Sequence, residues 1–174
     1  MNAVSEHIWL IGMMGSGKST VARRVAEKIG WGWLDLDEII SQGFESSITE
    51  FWTSQGEEAF RDIEMAALSA VASDSDRVVA TGGGVVVRED NVATMRASGL
   101  VVWLQATPET LVRRIGAGAG RPILHEEDRL ATLTDVLAAR WAAYDGAAHV
   151  SVATDDVPIE TVVGRIEELW NEFG

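Results

Sequence analysis

A glycine-rich stretch near the amino terminus constrains the fold more than any other feature of this chain. It runs from Gly12 to Thr20, reads GMMGSGKST, and fits the spacing G-x-x-x-x-G-K-[S/T]. Glycine takes backbone angles closed to other residues, so successive N–H groups of such a loop can point at phosphate oxygens. The lysine of this pattern reaches the β- and γ-phosphates of a nucleotide, and the next hydroxyl can bind Mg²⁺. A chance glycine-rich turn is the alternative.

The residues on either side of the loop argue against chance. An apolar run from His7 to Ile11 predicts a buried strand before it, and Val21, Val25 and Ile29 recur at helical spacing after it. A strand, a glycine loop and a helix in that order are the context in which the pattern binds nucleotides. The phosphate-binding residues predicted from the pattern are Gly12, Gly15, Ser16, Gly17, Lys18, Ser19 and Thr20.

Length and composition favour a single domain over residues 1–174. A chain of 174 residues can bury one full core and is short for two. It contains no cysteine, which excludes disulfides and thiolate metal sites, and its three histidines are scattered. No apolar run approaches the length of a membrane span, and the first residues lack a signal pattern, so we expect a cytoplasmic protein.

The charge balance limits the class of partner. A formal net charge of −13 argues against nucleic acid, because phosphate backbones are bound through clustered Lys and Arg. We expect a small-molecule substrate, no membrane partner and a monomer. An acidic protein that binds ATP must concentrate cations at its site, which makes the 14 basic residues the ones to follow.

Strand and helix patterns alternate along the rest of the chain. Further strands are predicted at 31–37, 77–81, 99–105 and 148–154. Helices are predicted from a capping box at 47–50 to residue 55, from 56 to about 71, from 107, over 129–144 and over 159–173. This alternation calls for an α/β fold with a parallel sheet flanked by helices on both faces.

Two carboxylates, Asp35 and Asp37, close the predicted second strand. Residues two apart in a strand face the same way, and the carboxyl ends of parallel strands are where α/β proteins bind ligands. One carboxylate could order Mg²⁺ waters while the other accepts a hydrogen bond or a proton from a substrate hydroxyl. The alternative is a helix cap, with Asp37 capping residues 38–40.

Three later features add candidates. Arg61 is three residues from Glu64 on a predicted helix, where a surface ion pair is its commonest fate. The triplet Gly82 to Gly84 follows a buried strand, which indicates close approach of a ligand, a backbone angle only glycine adopts, or a flexible turn. Residues 116–120 read GAGAG and lead to Arg121, as expected of a mobile lid; a solvent loop is the alternative.

These segments together resemble the shikimate kinases, small P-loop enzymes of aromatic amino-acid biosynthesis. The resemblance implies strand order 2-3-1-4-5 in a five-stranded parallel sheet, substrate-binding helices over about 37–64 and a lid over about 116–128. It also implies phosphorylation of the shikimate 3-hydroxyl, with ATP and Mg²⁺. The matching segments are GMMGSGKST at 12–20, DLD at 35–37, GEEAFRDIE at 56–64, TGGG at 81–84, RPIL at 121–124 and RWAAY at 140–144.

On the acceptor side, the resemblance implies that Arg61 and Arg140 hold the shikimate carboxylate. Asp37 and the backbone of Gly82, Gly83 and Gly84 would bind the ring hydroxyls, with Asp37 as the base. Beside them the resemblance puts Glu64, which would hold the substrate arginine in place, and the aromatic residues Trp52 and Phe60.

On the nucleotide side, the implied catalytic residues are Lys18 and Arg121 together with Asp37. Arg121 would meet the transferring phosphoryl group and neutralise its charge. Ser19 would bind Mg²⁺ and Asp35 would bind it through water. Arg114 would lie against adenine, with the turn near residues 154–158 on the other side of the base.

Two alternatives stay open at this point. One is a related kinase that acts on gluconate or an aminoshikimate. The other is a nucleotide-binding module that kept the fold and lost catalysis. The chain retains both substrate arginines and the lid arginine, for which such a module has no need, and this argues against the second alternative.

Overall fold

A computed structural model describes residues 6–44, 47–74, 76–116 and 129–173 of the chain. The strands in these ranges are β1 His7–Ile11, β2 Gly32–Asp35, β3 Arg77–Ala80, β4 Gly99–Gln105 and β5 Val150–Ala153. The helices are α1 Lys18–Ile29, α2 Leu36–Gln42, α3 Ile48–Ala72, α4 Glu89–Ser98, α5 Pro108–Ile115, α6 Arg129–Ala147 and α7 Ile159–Phe173. A 3-10 turn, Val85–Val87, follows the glycine triplet.

The five strands form one parallel sheet in the order β2-β3-β1-β4-β5. Strand β1 is central, and its Trp9 is aligned with Val79 of β3 and with Val101 of β4. The parallel sheet and the strand order are as predicted. Because β1 is central, the loop that follows it emerges at the crossover point of the sheet, where doubly wound folds bind ligands.

The three central strands of the sheet, β3, β1 and β4, are buried on both faces, as their apolar sequences predict. Alternate residues of β1 enter two separate cores: Ile8 and Leu10 pack with α1 and α7, whereas Trp9 and Ile11 pack with α3, α4 and α6. All four side chains are fully buried. The helices therefore cover both faces of the sheet and leave its carboxyl edge for the loops.

The end of β2 differs from the prediction. The strand stops at Asp35, and Asp37 lies in the first turn of α2, so the expectation that the two carboxylates share one strand face is wrong. Asp35 accepts hydrogen bonds from the amides of Asp37 at 3.0 Å and Glu38 at 3.4 Å. Asp35, rather than Asp37, is therefore the cap of α2.

Helix α3 consists of two helical pieces, as predicted. They meet at Gly56, whose φ of 86° and ψ of 172° are not helical. The first piece begins with the predicted capping box, in which Ser47 and Glu50 exchange side-chain to backbone hydrogen bonds. Helix α4 was not predicted; its N-cap, Arg88, makes no capping hydrogen bond and is not a capping residue type.

The predicted lid lies outside the described residues except for Gly116, and Arg121 lies outside them as well. None of the described helices combines the length and the apolar character needed to cross a membrane.

Candidate active site

The glycine loop after β1 has the backbone geometry that the motif requires. Gly12, Gly15 and Gly17 have φ of 143°, 80° and 93°, values that strain any residue with a side chain. Gly12 is also sterically confined, because a Cβ there would lie 2.6 Å from the carbonyl oxygen of Leu104 on β4. The loop is thus both shaped by its glycines and pressed against the sheet.

Lys18 at the start of α1 is folded over this loop. Its Nζ donates hydrogen bonds to the carbonyl oxygens of Gly12 at 2.8 Å and Met13 at 2.9 Å, and the side chain is buried. Beside it lies a cavity of about 170 Å³, which we call the loop cavity. Its lining residues are Met14, Gly15, Gly17, Lys18, Ser19, Thr20, Asp35, Asp37, Thr81 and Gly83.

Ser19 and Asp35 form the oxygen-rich side of the loop cavity. Ser19 Oγ donates a hydrogen bond to Asp35 Oδ2, while Oδ1 of the same carboxylate caps α2. Both atoms are hard oxygen donors of the kind that Mg²⁺ prefers. The described residues contain no cluster of three or more His, Cys, Asp or Glu that could hold a metal alone. The arrangement fits an ion that takes its remaining ligands from water and phosphate.

A larger cavity of about 380 Å³ lies between α2, α3, α6 and the glycine triplet. We call it the arginine cavity, because Arg61 and Arg140 both line it. Its lining residues are Met14, Asp37, Ser41, Ser47, Ile48, Thr49, Trp52, Phe60, Arg61, Glu64, Gly82, Gly83, Gly84 and Arg140.

Arg61 and Glu64 form a buried ion pair, which overturns the surface pair expected of an arginine on a helix. The guanidinium donates from Nη1 to Glu64 Oε2 at 2.8 Å, and the two side chains are 5% and 1% exposed. Trp52 and Phe60 flank the guanidinium, with ring centroids 5.2 Å and 5.6 Å from Cζ. Burial raises the pKa of Glu64, and the charge of Arg61 opposes that rise. The arginine is therefore held in one orientation by a carboxylate and two rings.

The pair leaves unused polar atoms in the cavity wall. Nε of Arg61 and Oε1 of Glu64 are buried without a hydrogen-bond partner in the described structure. Nη2 of Arg61 contacts Glu57 Oε1 at 3.3 Å, with the Glu57 side chain half exposed. A buried donor and acceptor of this kind are costly unless a ligand satisfies them.

The glycine triplet is required by close packing. None of Gly82, Gly83 and Gly84 has a positive φ, so the expectation of a backbone angle reserved for glycine is wrong here. A Cβ on Gly82 would lie 2.7 Å from Glu64 Oε1 and 2.9 Å from Asp37 Oδ1. One on Gly84 would lie 2.6 Å from Nη1 of Arg61. The close approach is made by the protein's own charged side chains.

Helix α6 holds the middle of the triplet. Arg140 Nη1 donates to the carbonyl oxygen of Gly83 at 3.2 Å, and the hydroxyl of Tyr144 donates to the same oxygen. Tyr144 is fully buried and stacks on Trp103 of β4, with ring centroids 5.4 Å apart and planes 20° apart. Sequence reasoning gave Tyr144 no role, although its i, i+4 spacing from Arg140 places both side chains on one helix face.

The two cavities share part of one wall. Met14, Asp37 and Gly83 line both of them. A phosphate held by the loop and a hydroxyl group in the arginine cavity would therefore meet at Asp37. This adjacency is the geometry that direct transfer between two bound molecules requires.

Arg114 lies apart from both cavities, at the end of α5. It donates from Nη1 to Thr154 Oγ1 at 3.0 Å and from Nη2 to the carbonyl oxygen of the same residue. The neighbouring Asp155 accepts from the amide of Thr107 at 2.9 Å. Burial alone would raise the pKa of Asp155, but hydrogen bonds from Thr110 and Thr107 outweigh it and lower the pKa. Arg114 is thus joined to the turn with which the resemblance pairs it.

Most of the predicted site residues come together in these two cavities. Gly12 and Ser16 lie within the loop without lining either cavity, Arg114 lies apart, and Arg121 lies outside the described residues. Sequence reasoning also missed Thr81, which lines the loop cavity, and Glu57. Both residues lie inside the matching segments 81–84 and 56–64. A polar residue in the same segment as a predicted site residue is a sequence signal that could have identified them.

The chain is similar to known proteins over nearly its whole length. The family model described as shikimate kinase matches residues 14–170. Shikimate kinase of Symbiobacterium thermophilum is 39% identical over 171 residues, which is 97% of this chain and 98% of that protein. Shikimate kinase of Trichormus variabilis is 37% identical over 164 residues, covering 94% of this chain and 90% of that one.

Solved structures of shikimate kinases are also similar to the structure of this chain. Shikimate kinase from Acinetobacter baumannii, in complex with shikimate, superposes with a TM-score of 0.90 at 32% identity, covering 95% of this chain and 92% of that one. Shikimate kinase from Bacteroides thetaiotaomicron superposes with a TM-score of 0.86 at 32% identity, covering 94% and 97% of the two chains.

Proposed function

The chain belongs to the shikimate kinase family, and from that premise we propose that it transfers the γ-phosphoryl group of ATP to the 3-hydroxyl of shikimate. The products are shikimate 3-phosphate and ADP. One observation carries the proposal: Asp37 lines both the loop cavity and the arginine cavity. A single carboxylate therefore stands where the phosphate of one substrate would meet the hydroxyl group of the other.

Asp37 is the proposed base. Its place in the first turn of α2 is fixed by the cap that Asp35 makes to its amide at 3.0 Å. A carboxylate there accepts the hydrogen bond of the attacking hydroxyl and takes its proton as the bond to phosphorus forms. Orientation of the nucleophile is the larger part of such catalysis, because phosphoryl transfer asks little covalent chemistry of the protein.

Arg61 and Arg140 are the proposed partners of the shikimate carboxylate. The protein carries a net charge of −13, so an anionic substrate is not attracted over long distances and must find cations at the site itself. Glu64 balances part of the charge of Arg61 and fixes its orientation through the 2.8 Å contact. The buried Nε of Arg61, which has no partner in the described structure, is a donor suited to that carboxylate.

Lys18 and the loop are proposed to hold the phosphates of ATP. Lys18 Nζ would exchange the carbonyl oxygens of Gly12 and Met13 for phosphate oxygens, as the motif predicts. Ser19 would bind Mg²⁺ directly and Asp35 through water, and the ion would neutralise charge on the β- and γ-phosphates. Arg121, outside the described residues, is the proposed partner of the phosphoryl group in transfer, and Arg114 that of adenine.

Substrate choice is the first test. A coupled assay of ADP release compares shikimate with gluconate and with an aminoshikimate at equal concentrations, and mass spectrometry identifies the phosphorylated product. We expect kcat/KM for shikimate to exceed that for either rival by at least about tenfold, or about 1.4 kcal/mol. A preference of less than a few-fold would favour the related-kinase alternative. Thermal stabilisation by an ATP analogue but none by shikimate would favour the non-catalytic module.

The carboxylate contact is tested by Arg140→Ala. Loss of one charged contact is worth about 2–5 kcal/mol when buried, so the KM for shikimate should rise about thirtyfold or more. The KM for ATP should stay within about twofold, because Arg140 does not line the loop cavity. Arg165→Ala is the matched control, since Arg165 is half exposed, pairs with Glu168 of its own helix at 3.2 Å and lines neither cavity. Equal effects on both substrates would contradict the assignment.

Monomeric state and cytoplasmic location stay predictions.

A further inference from the structure

Resting on the proposed function, we infer that Tyr144 is a positioning residue of this enzyme. It fixes the carbonyl group of Gly83 and, through that shared acceptor, the guanidinium of Arg140. Tyr144 lines neither cavity and is placed behind the wall that shikimate would touch. Its effect on catalysis is therefore exerted through the backbone of the triplet and through one substrate arginine.

The carbonyl groups of the triplet are all engaged. The oxygen of Gly82 accepts from the amide of Val85 at 3.2 Å, and that of Gly84 accepts from the amide of Val87 at 3.1 Å. The oxygen of Gly83, between them, accepts from Arg140 and Tyr144. In the described part of the chain no hydrogen bond is made by the three amides of the triplet. Fixing the carbonyl groups thus leaves the N–H groups as donors for an incoming ligand.

The bond from Tyr144 is the rigid one of the two at Gly83. Arginine has several rotatable bonds, whereas tyrosine has two and loses little freedom on ordering. The ring of Tyr144 is further fixed by its stack on Trp103, a buried residue of β4 aligned with Ile11 at the end of β1. The position of Gly83 relative to the sheet is therefore fixed by one aromatic side chain, that of Tyr144.

The hydroxyl remains a donor over the whole working range of pH. Burial raises the pKa of Tyr144 to about 12. A protonated phenol donates one hydrogen bond, and here it is given to Gly83. Arg140 can then direct its remaining N–H groups toward the cavity while one holds the same carbonyl oxygen at 3.2 Å. In this way Tyr144 aligns the hydroxyl-binding and carboxylate-binding parts of the arginine cavity.

Tyr144→Phe removes the hydroxyl and keeps the ring. One neutral hydrogen bond corresponds to about a three- to tenfold change in an equilibrium constant, so the KM for shikimate should rise by about that factor. The KM for ATP should not change. Ser98→Ala is the control, because it removes the side-chain partner of Trp9 Nε1 in a partly buried bond of 3.1 Å, and neither residue lines either cavity. It should lower the melting temperature and leave both KM values unchanged.

Three outcomes decide the matter. A rise in the KM for shikimate alone supports the inference. A lower melting temperature with unchanged KM values, as for the control, would mean that Tyr144 only stabilises the fold. Failure of the wild-type enzyme to phosphorylate shikimate would overturn the proposed function and the inference with it. The double variant that combines Tyr144→Phe with Arg140→Lys gives a further check. Its KM for shikimate should rise by less than the product of the two separate increases, because both residues share one acceptor.

A second measurement does not depend on a variant that folds. Tyr144 is the only tyrosine of the chain, so biosynthetic incorporation of 3-fluorotyrosine gives one fluorine label. Saturating shikimate should shift its ¹⁹F resonance, because ligand contacts to the triplet and Arg140 change the acceptor that the phenol faces. An unchanged resonance at saturating shikimate would overturn the inference.

Discussion

Gly84→Ala is the sharpest test of how the arginine cavity is packed. The φ of Gly84 is −102°, so alanine strains no backbone there. The new Cβ would lie 2.6 Å from Nη1 of Arg61. Cζ of the same guanidinium would lie 2.5 Å away and Nη2 would lie nearer still, so the group would have to retreat by more than about 1 Å to reach an ordinary contact distance. The effect of this substitution is therefore steric, and it acts on the side chain of Arg61.

Arg61 cannot retreat cheaply. Its side chain is 5% exposed, lies between two aromatic rings and holds Glu64 at 2.8 Å. Overpacking costs about 1–3 kcal/mol, and complete loss of a buried ion pair costs about 3–5 kcal/mol. Because the pair would be displaced rather than removed, we expect the free energy of unfolding to fall by about 2–3 kcal/mol. The KM for shikimate should rise at least about tenfold, since each factor of ten corresponds to 1.4 kcal/mol.

Urea unfolding and steady-state kinetics with each substrate varied in turn measure these two effects. Gly146→Ala is the matched control, because that glycine lies inside α6 and a Cβ there would meet nothing within 4 Å. It should leave kinetics unchanged and add up to about 1 kcal/mol of stability, the gain typical of alanine over glycine in a helix. A Gly84→Ala enzyme with wild-type stability and KM for shikimate would refute the packing argument.

Three further predictions concern charge. Lys18→Ala should abolish phosphoryl transfer and keep the fold, which a turnover assay and circular dichroism check together. Asp37→Asn should lower kcat far more than shikimate affinity; the opposite pattern would make it a binding residue only. Burial, with Arg96 nearby, lowers the pKa of His149, whose Nδ1 accepts from Val101 at 3.0 Å. Stability is therefore lost as the pH falls below the unfolded pKa of about 6.5. The free energy of unfolding, measured with urea between pH 7 and pH 5, should decline less steeply for His149→Asn than for the wild-type protein.

Sequence reasoning succeeded where the signals are local. The bounds of β4 and of α7 are as predicted, because an apolar run and an amphipathic period are each written in consecutive residues. The glycine loop was recognised for the same reason. A cap is also local, yet the alternative that made Asp37 the cap is wrong, because the strand ends at Asp35 and that residue caps α2.

It failed where the answer depends on distant contacts. The burial of Arg61 follows from how α3 packs against the triplet, and no neighbour in sequence reports it. The bond between Tyr144 and Gly83 joins residues 61 positions apart. Helix α4 begins without a capping side chain, so its start carries no sequence mark. These features depend on tertiary contacts, which leave no local pattern in a single amino-acid sequence.

The wall shared by the two cavities bears on a side reaction. It contains Met14, Asp37 and Gly83, and the arginine cavity beyond it measures about 380 Å³. Without shikimate, solvent fills that volume, and every water molecule near Asp37 is a rival nucleophile for the γ-phosphate. In the proposed function, a bound shikimate displaces this solvent and puts its own hydroxyl group in the same place. The acceptor therefore protects ATP from hydrolysis by occupying the space from which water would attack.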